Sequence, residues 1–159
     1  FIITAVLPCA YLCAGEISTD LSKLPQPALE FAAKIFPNAK IVGFEIDKAL
    51  LKPVEYDATL SDGSKIEFDS TGQWTDIESK FTGIPLSIFP ADIATYLKNN
   101  YKGQKIKSAS KEKYGWEVEL ANGLELKFNA AGKFVGPVHQ LQQVVFRVFV
   151  EVIKSLFQP

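Results

Sequence analysis

The chain has 159 residues, of which 47% are apolar and 22% charged, with a formal net charge of −1. Such near-neutrality excludes the basic face of a nucleic-acid binder and the polybasic stretch of a membrane-surface protein. The sequence contains no Gly-rich phosphate loop, nucleophile elbow or metal-ligand spacing. It is therefore expected to carry no cofactor and to be no enzyme.

Residues 1–14 form an uncharged apolar run, FIITAVLPCAYLCA, too short to span a bilayer and of the length of a signal-peptide core. The chain has no methionine, so its start codon is expected upstream of Phe1. Ala14 before Gly15 offers a small-residue cleavage point. Leu12 before Cys13 and Pro8 before Cys9 do not suit a lipoprotein signal. Both cysteines fall in this leader, so the exported protein is expected to have no disulfide and to rest on its hydrophobic core.

Two stretches then resemble each other. Leu24 to Ile41 aligns with Phe89 to Ile106, matching Pro25 with Pro90, Phe31 with Tyr96 and Phe36 with Tyr101. Leu60 to Trp74 aligns with Leu120 to Phe134, matching Gly63 with Gly123, Phe68 with Phe128 and Gly72 with Gly132. The pattern predicts a tandem duplication, with repeats over 17–78 and 79–136 and an apolar tail over 137–159. Each repeat opens on a helix, marked by Leu24, Ala28, Phe31, Ala32, Ile35 and Phe36 in the first and by Phe89, Ile93, Tyr96, Leu97 and Tyr101 in the second. Pro25 and Pro90 are expected in the first helical turn.

Alternating strands follow. Val42, Phe44 and Ile46 are expected on one face of the first, and Val54, Tyr56, Ala58 and Leu60 on one face of the second. Ile66 and Phe68 then point inward, as do Trp116, Val118 and Leu120, and Leu124, Leu126 and Phe128. Parity fixes the hairpins. A two-residue turn at Asp62-Gly63 would put Leu60 opposite Lys65, whereas a three-residue loop with Gly63 in the bulge position pairs Leu60 with Ser64, Ala58 with Ile66 and Tyr56 with Phe68. The same loop at Asn122-Gly123 pairs Val118 with Leu126 and Trp116 with Phe128. Second turns at Asp69 to Gly72 and Asn129 to Gly132 lead to short fourth strands. The expected fold is α+β: a tandem of a helix followed by a three- to four-stranded antiparallel β-meander, helices packed on one face of the sheet.

The hairpin Leu-Ser-Asp-Gly-Ser-Lys-Ile-Glu-Phe-Asp, the Gly-Gln-Trp strand after it and the helix before it resemble the PepSY-like, β-lactamase-inhibitor-like family of exported bacterial proteins. The resemblance covers about Ile17 to Gly136 and is most specific over Ser61 to Trp74 and Glu117 to Phe134. It implies export to the periplasm or cell surface, and a binding or inhibitory role without catalytic residues.

The outer sheet face is the one constellation that stands out. In the chosen register Glu55 lies opposite Asp69, Asp57 opposite Glu67, and Glu119 opposite Glu125, with Glu117 nearby. Like charges directly across a ladder are destabilising. The face is either solvated and screened by Lys65, Lys107, Lys111 and Lys127, or neutralised by a basic protein partner, or by a cation, although flat strands rarely converge the oxygens that calcium needs. Trp74 and Trp116 read as core aromatics, and His139 stands without a neighbouring carboxylate or nucleophile. The tail, HQLQQVVFRVFVEVIKSLFQP, suits a docked helix, a strand or a membrane-surface segment; Arg147, Glu151 and Lys154 argue against a transmembrane span. The function expected is an exported binding module that engages another protein through its sheet face or the cleft between repeats. The alternatives are an envelope assembly subunit that uses the tail, and an enzyme with Asp57 and Glu67 as an acid–base pair.

Overall fold

The computed structural model describes residues 15–48 and 52–137. The expected leader with both cysteines, and the tail from residue 138 onward with His139, lie outside the described residues. In chain order the elements are β1 (Glu16–Ser18), α1 (Gln26–Ile35), β2 (Ile41–Asp47), β3 (Glu55–Leu60), β4 (Lys65–Phe68), β5 (Trp74–Glu78), α2 (Ala91–Asn100), β6 (Ile106–Glu112), β7 (Gly115–Leu120), β8 (Glu125–Asn129) and β9 (Phe134–Pro137). Single 3₁₀ turns at Leu21–Lys23 and Leu86–Ile88 lead towards each helix.

The expected α+β tandem of two helix-plus-meander units is not what forms. All nine strands join one antiparallel sheet in the order β1 to β9, and the only α-helices among the described residues are two of ten residues each. The joint is β5 against β6, where Asp76 faces Ser110, Ile77 faces Ala109 and Glu78 faces Ser108. Two separate meanders would each leave an edge of unpaired N–H and C=O groups at this place, and pairing the edges satisfies both. β1, absent from the sequence reading, extends the other side by pairing with β2.

The hairpin registers follow the parity argument. Tyr56 faces Phe68 and Ala58 faces Ile66, while Trp116 faces Phe128 and Val118 faces Leu126. The Leu60 N–H donates to the Ser64 carbonyl and the Gly63 N–H to the Leu60 carbonyl, at 2.8 and 2.9 Å. Gly63 and Gly123 hold φ of +80° and +81°, the left-handed bulge position that other residues adopt at a cost.

Two details differ from the sequence reading. Val42 is not inward but 54% exposed, because β2 carries a bulge between Ile41 and Gly43 that turns Ile41 to the core instead. Pro25 and Pro90 sit one position before the helices, as extended capping residues.

One core unites the molecule. Ala28 and Ala32 of α1, and Ile93 and Leu97 of α2, pack in the same cluster as Phe44, Leu60, Ile66, Phe68, Ile77, Val118, Leu126 and Phe128 from the sheet. An aromatic chain crosses the β5–β6 joint: Phe31 stacks on Trp74 at 5.9 Å, Trp74 meets Trp116 at 5.6 Å, and Trp116 meets Phe89 at 6.0 Å. A hydroxyl cluster, buried at Ser64 and Ser79, fastens the β5–α2 connection to the β3–β4 hairpin. The Ser64 hydroxyl donates to Ser79 at 3.1 Å, Ser79 and Thr82 share a hydrogen bond of 2.8 Å, and the Thr82 hydroxyl reaches the Asp62 carboxylate at 3.3 Å.

Candidate functional site

The helices cover one face of the sheet, so charge collects on the other. Strand alternation places Glu45, Asp57, Glu67 and Asp76 outward on β2, β3, β4 and β5. The registers set them side by side: Glu45 faces Asp57, Asp57 faces Glu67, and Glu67 faces Asp76. With strands about 4.8 Å apart, this is an unbroken row of carboxylates across four strands. The exposed Ile17 of β1 stands opposite Glu45 at one end, and Ser110 stands opposite Asp76 at the other. The row lines a shallow groove of about 540 Å³, together with Val42, Lys65 and Glu78.

These carboxylates perturb one another. Partial burial is the main cause that pushes Asp57, Glu67 and Asp76 above the ordinary carboxylate range. Glu45, Glu55 and Asp47 then add to the shift at Asp57, Asp57 and Asp76 to that at Glu67, and Glu78 and Glu112 to that at Asp76. Lys65 alone opposes the shift at Asp57, from the neighbouring rung where it faces Thr59 and Glu78.

The same face differs on β7 and β8. Glu117, on the rung that continues from Ser110, faces Lys127 and pairs with it at 3.0 Å. Burial works to raise Glu117, but hydrogen bonds from Tyr114 and Lys127 outweigh it and hold the carboxyl below its usual range. Glu119 faces Glu125, as parity requires, yet Lys107 donates to Glu119 at 2.7 Å. Like charges on this half are therefore relieved by lysines, while the Glu45–Asp76 row has no ion pair among the described residues.

Of the residues singled out in the sequence, Asp57 and Glu67 lie in the row, and Glu117, Glu119 and Glu125 lie on the lysine-relieved half. Glu55 faces Asp47 across β2, and the β3–β4 ladder ends at Tyr56 and Phe68, one rung short of Glu55 and Asp69. Asp69 belongs to the turn after β4, where its carboxylate accepts from the Thr71 N–H and hydroxyl and from the Gln73 N–H, at 2.7 to 3.0 Å. Burial opposes but does not cancel these bonds, and the Asp69 carboxyl lies below its ordinary range. Glu45 and Asp76 were missed. Alternation alone points Glu45 outward between Phe44 and Ile46; what the sequence left open was the register of β2 on β3 and of β4 on β5, each of which carries a bulge. Trp74 is buried, as a core aromatic should be, with the Lys111 ammonium 4.0 Å from its ring centroid. Among the described residues no three His, Cys, Asp or Glu side chains are grouped to hold a metal, and no helix is long and apolar enough to cross a membrane.

The described residues form an open antiparallel sheet backed by two short helices, with a row of charge on its broad uncovered face. The family described as "Putative beta-lactamase-inhibitor-like, PepSY-like" matches residues 54–136, and the chain belongs to it. A periplasmic protein of unknown function from Bacteroides vulgatus is 35% identical with a TM-score of 0.73, over 77% of this chain and 98% of its own. A periplasmic protein from Bacteroides thetaiotaomicron described as calcium-regulated is 30% identical with a TM-score of 0.68, over 74% of this chain and 91% of its own. A second Bacteroides vulgatus periplasmic protein is 29% identical with a TM-score of 0.70, over 78% of this chain and 98% of its own. No curated protein matches the chain. The protein is exported to the periplasm, and its family and neighbours fit a non-catalytic module.

Proposed function

We propose that the protein is a periplasmic, non-catalytic binding module whose outer sheet face engages a basic segment of another protein. The observation that carries this reading is the row Glu45, Asp57, Glu67 and Asp76, four adjacent carboxylates that form no ion pair among the described residues, beside a half where lysines relieve the same repulsion. Mutual repulsion adds to the raised protonation constants of the row, and a cationic partner that neutralises the row relieves that repulsion. Ile17 and Val42, 80% and 54% exposed beside the row, give such a partner apolar contact.

A carboxylate pair acting in acid–base catalysis would also show a raised pKa. Here the rise is spread over three residues along a ladder on an open face, rather than divided between one acid and one base. Glu55, Asp69, Glu117, Glu119 and Glu125 are peripheral in this reading.

The test compares the wild type with a Glu45→Gln, Asp57→Asn, Glu67→Gln, Asp76→Asn variant, whose side chains keep their shapes. Each is used to capture partners from a periplasmic extract, with calcium and with a chelator, because one structural neighbour is described as calcium-regulated. A basic partner held by the wild type, lost by the variant and weakened by salt is the expected result. Equal capture by both proteins would remove the row from the function. Capture that requires calcium would make the row a cation site rather than a direct contact.

A further inference from the structure

On the helix-covered side, a cleft of about 450 Å³ opens between the end of α1, the connection around Ile84 and the last turn of α2. Its floor is apolar and belongs to the core: Ile84, Leu97 and Ile106 are each no more than 5% exposed. Its mouth carries Lys98, Lys102 and Lys105, all exposed, and no aspartate or glutamate lines it. Lys105 donates to the Phe81 carbonyl at 3.1 Å, and neither Lys98 nor Lys102 forms an ion pair among the described residues. Lys98, in the last turn of α2, is accounted for by the negative end of the helix dipole. Lys102 and Lys105 lie beyond the helix, and three full positive charges exceed the roughly half charge that each helix end contributes.

We infer that this cleft is a binding site for a single-chain amphiphile with an anionic head, the chain on the apolar floor and the head among the lysines. The volume falls within the ~300–1,000 Å³ of small-ligand sites, and the combination of a mostly apolar lining with a few convergent charges is theirs as well. Lysine stems are themselves apolar and can lie along an acyl chain while their ammonium groups meet the head. The cleft lies on the opposite side of the sheet from the carboxylate row, so this site does not depend on the proposed protein-binding face.

The test is a titration of the labelled protein with dodecanoate, dodecyl phosphate and neutral dodecanol, each below its micelle-forming or solubility limit, followed by amide NMR shifts. Saturable shifts centred on Gly83, Leu97 and Gly103 are expected with both anions, with dodecanol at least tenfold weaker. A Lys98→Glu, Lys102→Glu variant, altered only at exposed positions and checked for folding by circular dichroism, should raise both anion Kd values at least tenfold. The tighter of the two anions distinguishes a fatty acid from a phospholipid-type head. No saturable shift at these amides, or equal affinity for dodecanol and for the variant, would overturn the inference.

Discussion

At the scale of single residues, the sheet face titrates in two directions. Asp57, Glu67 and Asp76 have native constants above their unfolded values, so the native state binds protons more readily than the unfolded chain in the interval between them. Their ionisation costs stability at neutral pH, and the cost is relieved as pH falls through the raised constants. Asp69 and Glu117 are lowered, so their contribution is present above the ordinary carboxylate range and lost as pH falls through the native values. The expected outcome is that Asp57→Asn with Glu67→Gln stabilises the protein at pH 7, by about 0.2–1 kcal/mol for the relieved cross-strand pair. The gain should shrink as pH approaches 4, and urea melts at both pH values measure it. A destabilised variant at pH 7 would mean that these carboxylates accept hydrogen bonds on which the fold depends. Asp57 and Glu67 were legible in the sequence because one hairpin pairs them and parity fixes that hairpin. Glu45 and Asp76 were not, since bulges shift the β2–β3 and β4–β5 registers and parity alone does not locate a bulge.

At the scale of elements, the departures from alternation are bulges. In β2, β5, β6 and β9 one residue is extra to the ladder: Val42, Thr75, Lys107 and Val135. Each bends its strand and increases the local twist, which helps a nine-stranded sheet curve around two short helices. Reading Val42, Phe44 and Ile46 as one stripe follows from the period of two, and a bulge breaks that period without changing composition. The hairpins were readable because Gly63 and Gly123 fix their loops, whereas no glycine stands at Val42. Replacing Val42 with threonine should therefore change stability by no more than about 0.5 kcal/mol, as for a surface site. Phe44→Ala, two residues on and 2% exposed, should cost about 3–5 kcal/mol. Denaturant midpoints for the two variants check the contrast, and a large loss at Val42 would mean that the exposed side chain packs against something outside the described residues.

At the scale of the whole molecule, the sequence favoured two units because the apolar patterns and turn glycines recur, and such recurrence says nothing of how strands at the unit ends are paired. The β5–β6 ladder and the Phe31–Trp74–Trp116–Phe89 chain decide the matter physically, by giving both helices and strands β2 to β9 one core. A single core cannot be opened on one side without exposing apolar surface on the other. Unfolding should therefore be one cooperative transition, as is usual for single domains of this size. Trp74 and Trp116, the chain's two tryptophans, lie one on each side of the joint, so their fluorescence reports the joint while far-ultraviolet circular dichroism reports the whole sheet. The two signals should change at the same urea concentration. Replacing Trp74 with alanine removes the centre of the aromatic chain and should lower that midpoint by an amount corresponding to about 3–5 kcal/mol, leaving the transition single. Tryptophan fluorescence that changes at lower urea than the dichroism would show that the joint parts before the strands melt, and that the sheet is continuous in structure but divisible in stability.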